Sequence, residues 1–89
     1  MAAKTYADQE LIKRFKEGDN IAIERLINKY KNKVYTYILL IVKEEHLAED
    51  VFQDTFIKVI KSLHEGKYKD DGKFISWVTR IAHNLIIDH

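Results

Sequence analysis

Apolar residues in this chain recur at intervals of three and four rather than two, and only three glycines and no proline punctuate them. That rhythm admits helices and leaves no strand pattern to compete, although β-branched residues are common. The rhythm breaks at Gly18, Gly66 and Gly72, where helix-stop and loop glycines belong. A first helix is predicted from about Asp8 to Glu17, with Asp8 as N-cap and Leu11, Ile12 and Phe15 inward. Asp19 or Asn20 caps a long second helix to about Lys43. Its inward residues are Ile23, Leu26, Ile27, Tyr30, Val34, Tyr37, Ile38 and Ile41. A third helix runs from about Leu47 to His64 on a stripe of Leu47, Val51, Phe52, Thr55, Phe56, Val59, Ile60 and Leu63. A fourth runs from about Lys73 to the end, with Phe74, Trp77, Val78, Ile81, Ala82 and Leu85 inward. Residues 65–72 form the one extended loop. The expectation is an all-α, compact bundle of about four helices.

With 89 residues there is room for one domain and a modest core. There is no cysteine and no metal-spaced histidine set, so apolar packing has to hold the fold. No cofactor is implied. No apolar run approaches the ~18 residues of a membrane span and the N-terminus lacks a signal-peptide core. The chain is therefore read as soluble, unexported and cytoplasmic, with no membrane partner. The net charge of +1 is a poor advertisement for autonomous nucleic-acid binding.

The distribution of charge says more than its sum. Residues 44–54 hold Glu44, Glu45, Glu49, Asp50 and Asp54 with no Lys or Arg. Residues 58–80 hold Lys58, Lys61, Lys67, Lys69, Lys73 and Arg80 against Glu65, Asp70 and Asp71. On the third helix Asp50, Gln53 and Asp54, at i, i+3 and i+4, make one acceptor-rich patch. The fourth carries Lys73, Ser76, Arg80, His83 and Asn84, mostly donors. Two faces of opposite character on one small domain point to two different partners.

These stretches also carry a resemblance. The run AEDVFQDTF (Ala48 to Phe56), a short loop, and FISWVTRIAHN (Phe74 to Asn84) resemble the second conserved region of bacterial sigma-70 family sigma factors. The similarity is greatest to the extracytoplasmic-function (ECF) group. Asp8-Gln9-Glu10-Leu11-Ile12 and Gly18-Asp19-Asn20-Ile21-Ala22 resemble that group's opening. The match spans about Asp8 to the last residue, and residues 1–89 are read as one such domain. Leu85, Ile86 and Ile87 keep the chain apolar to within two residues of its end, without a glycine or basic cap. A fragment of a longer chain is expected, and the resemblance implies a following linker and a DNA-reading helix-turn-helix domain.

The resemblance implies a role for each face, and each has a plain alternative. It places Asp50, Gln53 and Asp54 against a helical coiled coil of the RNA polymerase clamp that presents arginines. Carboxylates and an amide suit a forked guanidinium. The alternative is a solvated acidic face favoured by the helix macrodipole. It places the fourth helix and the preceding loop at the −10 promoter element, holding the non-template strand open with a base out of the stack. Asn84 matches a position used there, and an amide offers both a donor and an acceptor to a base edge. Arg80 suits a phosphate or a stacked base, or equally an acid of its own domain. Tyr68, between Lys67 and Lys69, is a candidate stacking platform, with Lys69, Lys73, Ser76 and His83 beside it; the alternative is a solvated loop whose Asp71 caps the fourth helix. The resemblance makes Trp77 a candidate wedge in melting DNA, since primary sigma factors use tryptophans so, but its place in the Phe74, Val78 and Ile81 stripe reads as core; the other tyrosines are read as core or rim. Lys29, Lys31 and Lys33 are read as a solvated basic cluster, with weak duplex-DNA contact as the alternative.

Magnesium-dependent helical pyrophosphatases also space carboxylates helically, and Glu49, Asp50 and Asp54 imitate that. Such sites need a second acidic helix, whereas Asp70 and Asp71 lie in a loop, and no phosphate-cradling glycine-rich turn is present. No Cys nucleophile and no Ser/His/acid set stands out. The chain is read as a non-enzyme whose partners are core RNA polymerase, single-stranded −10 DNA and, from the resemblance alone, an anti-sigma protein. The alternative is a degenerate sigma-like module that binds proteins without DNA.

Overall fold

In the computed structural model, which describes residues 7–68 and 72–88, the chain forms four helices. They are α1 (Asp8–Lys16), α2 (Asn20–Val42), α3 (Glu45–His64) and α4 (Phe74–Ile87). The helix α2, 23 residues long, is the spine against which α1, α3 and α4 all pack. The chain doubles back at residues 43–44 into α3. Across the bundle Tyr30 meets Phe74 and Tyr37 meets His83, so α4 returns alongside α2 in the same direction.

Two of the glycine breaks are helix ends of the same kind. The Gly18 N–H donates to the Phe15 carbonyl and the Asp19 N–H to the Arg14 carbonyl; Gly66 and Lys67 do the same to Leu63 and Ser62. This paired closure requires a left-handed residue, and Gly18 (φ 103°) and Gly66 (φ 70°) supply it without a Cβ penalty. Asp19 then caps α2, its carboxylate accepting from the Ile21 N–H at 3.0 Å. The helix α2 ends without a glycine: Lys43 itself takes the left-handed conformation at φ 58°.

The core collects Leu11, Ile12 and Phe15 of α1, Leu26, Val34 and Ile38 of α2, Val51, Phe56, Val59 and Leu63 of α3, and Phe74, Val78, Ile81 and Ala82 of α4. Small residues outside the predicted stripes, Ala22, Ala48 and Ser62, are buried as well. The buried Thr55 hydroxyl is satisfied by the Val51 carbonyl at 2.6 Å. Ile41, expected inward, is 42% exposed in the last turn of α2.

Three helix starts differ from expectation. Asp8 is not the N-cap of α1: that position is Ala7, with no side-chain cap. The Asp8 carboxylate reaches across to α2, accepting from Lys29 Nζ at 2.7 Å and the Tyr30 hydroxyl at 2.5 Å, so a tertiary role displaces the local one. Burial and then the Asp8 contact push the Tyr30 hydroxyl up to about 12. The helix α3 begins two residues early because Glu44 caps it, accepting from the His46 and Leu47 N–H groups at 2.9 and 2.7 Å. Those backbone bonds hold the Glu44 carboxyl below the usual carboxylate range. The N-cap of α4 is Lys73, without a side-chain cap bond, while Asp71 lies outside the described residues.

Candidate functional site

The predicted acceptor patch is intact. The apolar stripe of α3 faces the core and turns Asp50, Gln53 and Asp54 outward, all three exposed. Among the described residues none of them makes a side-chain hydrogen bond or ion pair. Their acceptor capacity is available to a partner. The anionic character spreads onto α2: burial, and then the charges of Glu49, Glu45 and Glu44, raise Tyr35, whose ring meets Phe52 edge-on at 6.0 Å. One helical turn beyond Asp54 the patch meets exposed Ile57.

The polar face of α4 forms as two adjacent lines. Lys73, Trp77, Arg80 and Asn84, at i, i+4, i+7 and i+11, make one; Ser76, His83 and Ile87 make the next. Ser76, Arg80, His83 and Asn84 are exposed, as is Lys73 just before the helix. Phe74, Val78, Ile81 and Ala82 anchor the opposite face. Arg80 had two readings, an outside ligand or an acid of its own domain. Among the described residues Arg80 pairs with no acid. Among the described residues no ion pair joins the donors of α4 to the acceptors of α3.

The loop aromatic is corrected. Tyr68 is only 6% exposed, its ring packed against Trp77 at 4.8 Å and edge-on to Phe74 at 5.6 Å between centroids. The α3 closure at Gly66 and Lys67 reverses the chain one residue earlier and turns the tyrosine onto the core, so it is no stacking platform in this conformation. Trp77 moves the other way. It packs against the core but stays partly exposed, on the same line as Lys73, Arg80 and Asn84. Lys69 lies outside the described residues.

The sequence reading also missed a feature of α2. The Tyr37 hydroxyl sits 3.3 Å from His83 Nδ1, bringing an aromatic of α2 to the edge of the α4 polar face. Only the tertiary pairing of two segments 46 residues apart reveals it. The supposed lysine cluster divides. Lys29 is paired with Asp8, Lys33 lies one turn before Tyr37, and Lys31 projects from a different side of α2.

Comparison with known proteins names the class these faces belong to. Residues 26–89 match the family model described as Sigma-70 region 2. The chain belongs to the sigma-70 family, as a region 2 domain of its ECF group. It is 37% identical over 82 residues to the RNA polymerase sigma-H factor of Pseudomonas aeruginosa, covering 92% of this chain and 42% of the relative. It is 35% identical over 77 residues to the ECF RNA polymerase sigma factor SigW of Bacillus subtilis (86% and 40%). To that organism's ECF RNA polymerase sigma factor SigM it is 33% identical over 69 residues (78% and 40%). The chain thus spans about two fifths of the length of these relatives. Among the described residues, no helix is long and apolar enough to cross a membrane, and no group of three His, Cys, Asp or Glu side chains could hold a metal ion.

Proposed function

We propose that this domain is the promoter-recognition module of an alternative sigma factor. It docks on the RNA polymerase clamp through Asp50, Gln53 and Asp54 and engages the opened −10 element through α4. The observation that carries this reading is a pair of exposed polar faces on two helices of a family member: uncommitted acceptors on α3, and Lys73, Ser76, Arg80, His83 and Asn84 on or beside α4. Acceptors suit the guanidinium groups of a clamp helix. On α4, Arg80 and the lysines around the 65–73 loop (Lys69 among them) position phosphates, and Asn84 reads a base edge. Trp77, partly exposed in line with Asn84, replaces Tyr68 as the aromatic offered to an unstacked base. The domain has no catalytic role of its own, and the polymerase supplies both the chemistry and much of the DNA affinity. It acts in the cytoplasm, with an anti-sigma protein as a competitor for the same faces.

The test is a promoter substitution series on the reconstituted holoenzyme. Asn84→Ala is expected to lose about 1–3 kcal/mol of discrimination at one −10 position, with little change in salt dependence. An equal loss on every promoter variant would assign Asn84 to positioning and withdraw the base-reading role.

A further inference from the structure

We propose that Tyr37 of α2 and His83 of α4 together form a second nucleotide ledge, on which a base of the opened strand stacks beside the one read by Asn84. The proposal rests on the DNA-facing reading of α4 and extends that face onto a helix the family motifs do not assign to it. Three observations carry it. The Tyr37 hydroxyl and His83 Nδ1 are 3.3 Å apart, so the tip of an α2 tyrosine reaches the edge of an α4 imidazole at the rim of the polar face. Tyr37 is partly buried and packed against the core, while His83 is exposed. A ring fixed in this way offers a π-face at small entropic cost, since only two side-chain torsions need ordering.

The third observation is the arrangement around α4. Trp77 stands on the same line as Arg80 and Asn84, two turns before Asn84, and Tyr37 reaches His83 on the adjacent line. A single strand lying over these two lines meets Trp77 and the Asn84 amide on one and the Tyr37–His83 pair on the other. Sequence-tolerant stacking platforms on single-strand binders are built in this way. Lys33, exposed one helical turn before Tyr37, is placed for the phosphate of the nucleotide on the ledge, a contact that positions without reading sequence. With Tyr68 buried against Phe74 and Trp77, Tyr37 becomes the tyrosine this face presents to DNA.

The experiment is an abasic scan: holoenzyme reconstituted with the chain binds fluorescent single-stranded −10 oligonucleotides, each lacking one base in turn. For the unaltered protein, one abasic position should cost affinity through Asn84, and a different one through the ledge. The ledge penalty should be about 5- to 10-fold, the low end of base–aromatic stacking, because the site is open to solvent. Tyr37→Leu should erase the ledge penalty and leave the Asn84 penalty in place; Tyr37→Phe, which keeps the ring, should retain the ledge penalty. Lys33→Gln, a surface change that does not threaten folding, should flatten the logarithmic salt slope by about 0.7. The ledge is overturned if Tyr37→Leu weakens every oligonucleotide equally or leaves the scan unchanged while Asn84→Ala still erases its own position. If Asn84→Ala also leaves the scan unchanged in an intact holoenzyme, the DNA-facing reading of α4 fails with it.

Discussion

Tyr68 separates a loop reading from a core reading, and Tyr68→Ala measures the difference. A solvated loop residue far from special features changes stability by at most about 0.5 kcal/mol when truncated. Tyr68 instead packs against Trp77 and Phe74 with 6% of its surface exposed. Burying an aromatic side chain removes about 150–250 Å² from water, about 4–6 kcal/mol at 25 cal/mol per Å². That figure is an upper bound, since the unfolded chain is not fully extended and Ala keeps part of the contact. Large-to-small aromatic substitutions in cores cost about 3–5 kcal/mol, and the lower end suits a residue joined to a loop. A loss of about 3 kcal/mol is expected, a large share of the ~5–15 kcal/mol a small domain possesses. Urea unfolding followed by far-ultraviolet circular dichroism gives the free energy. The emission of Trp77, the sole tryptophan, reports locally on the contact. Tyr68→Phe keeps the ring packing and should retain most of the stability. A Tyr68→Ala unfolding free energy within about 0.5 kcal/mol of the unaltered protein's, with unshifted Trp77 emission, would falsify the packing and restore Tyr68 as a stacking platform.

Asp50→Arg should weaken core-polymerase binding tenfold or more, about 1.4 kcal/mol, with helix content unchanged. Glu24→Arg on the exposed side of α2 is the control, because Glu44 is a helix cap; equal small effects in a binding titration would reduce the α3 patch to a solvated face. Tyr30 contributes stability that is complete below its ordinary pKa of about 10 and is lost as pH rises toward its raised value of about 12. Tyr30→Phe, which cannot ionise, should therefore flatten the fall in thermal midpoint between pH 10 and 12, and an unchanged alkaline limb would show that the Asp8 contact does not persist in solution. Glu44 has the opposite sign: its lowered pKa gives stability present above the ordinary value of 4.5 and lost as pH falls through the folded value. Glu44→Gln should flatten that acid loss, seen as a smaller change in midpoint on acidification.

The sequence by itself determined what depends on local period and local turn chemistry. Apolar spacing of three and four set four helices, and Gly18 and Gly66 ended two of them because their left-handed backbone penalises any side chain with a Cβ. The same spacing turned Asp50, Gln53 and Asp54, and Arg80 and Asn84, toward solvent, since a buried stripe dictates its opposite face. Tertiary structure decided whatever depends on which helix lies beside which. Asp8 looked like a cap, but α2 brought Lys29 and Tyr30 to its carboxylate. Tyr68 looked like a loop aromatic until the α3 closure folded it onto Phe74, and Trp77 looked like core until its helix line placed part of the indole at the surface. No pattern along the chain joins Tyr37 to His83, because helical periodicity reports only direction around one axis, and the distance between two axes is set by how their cores pack.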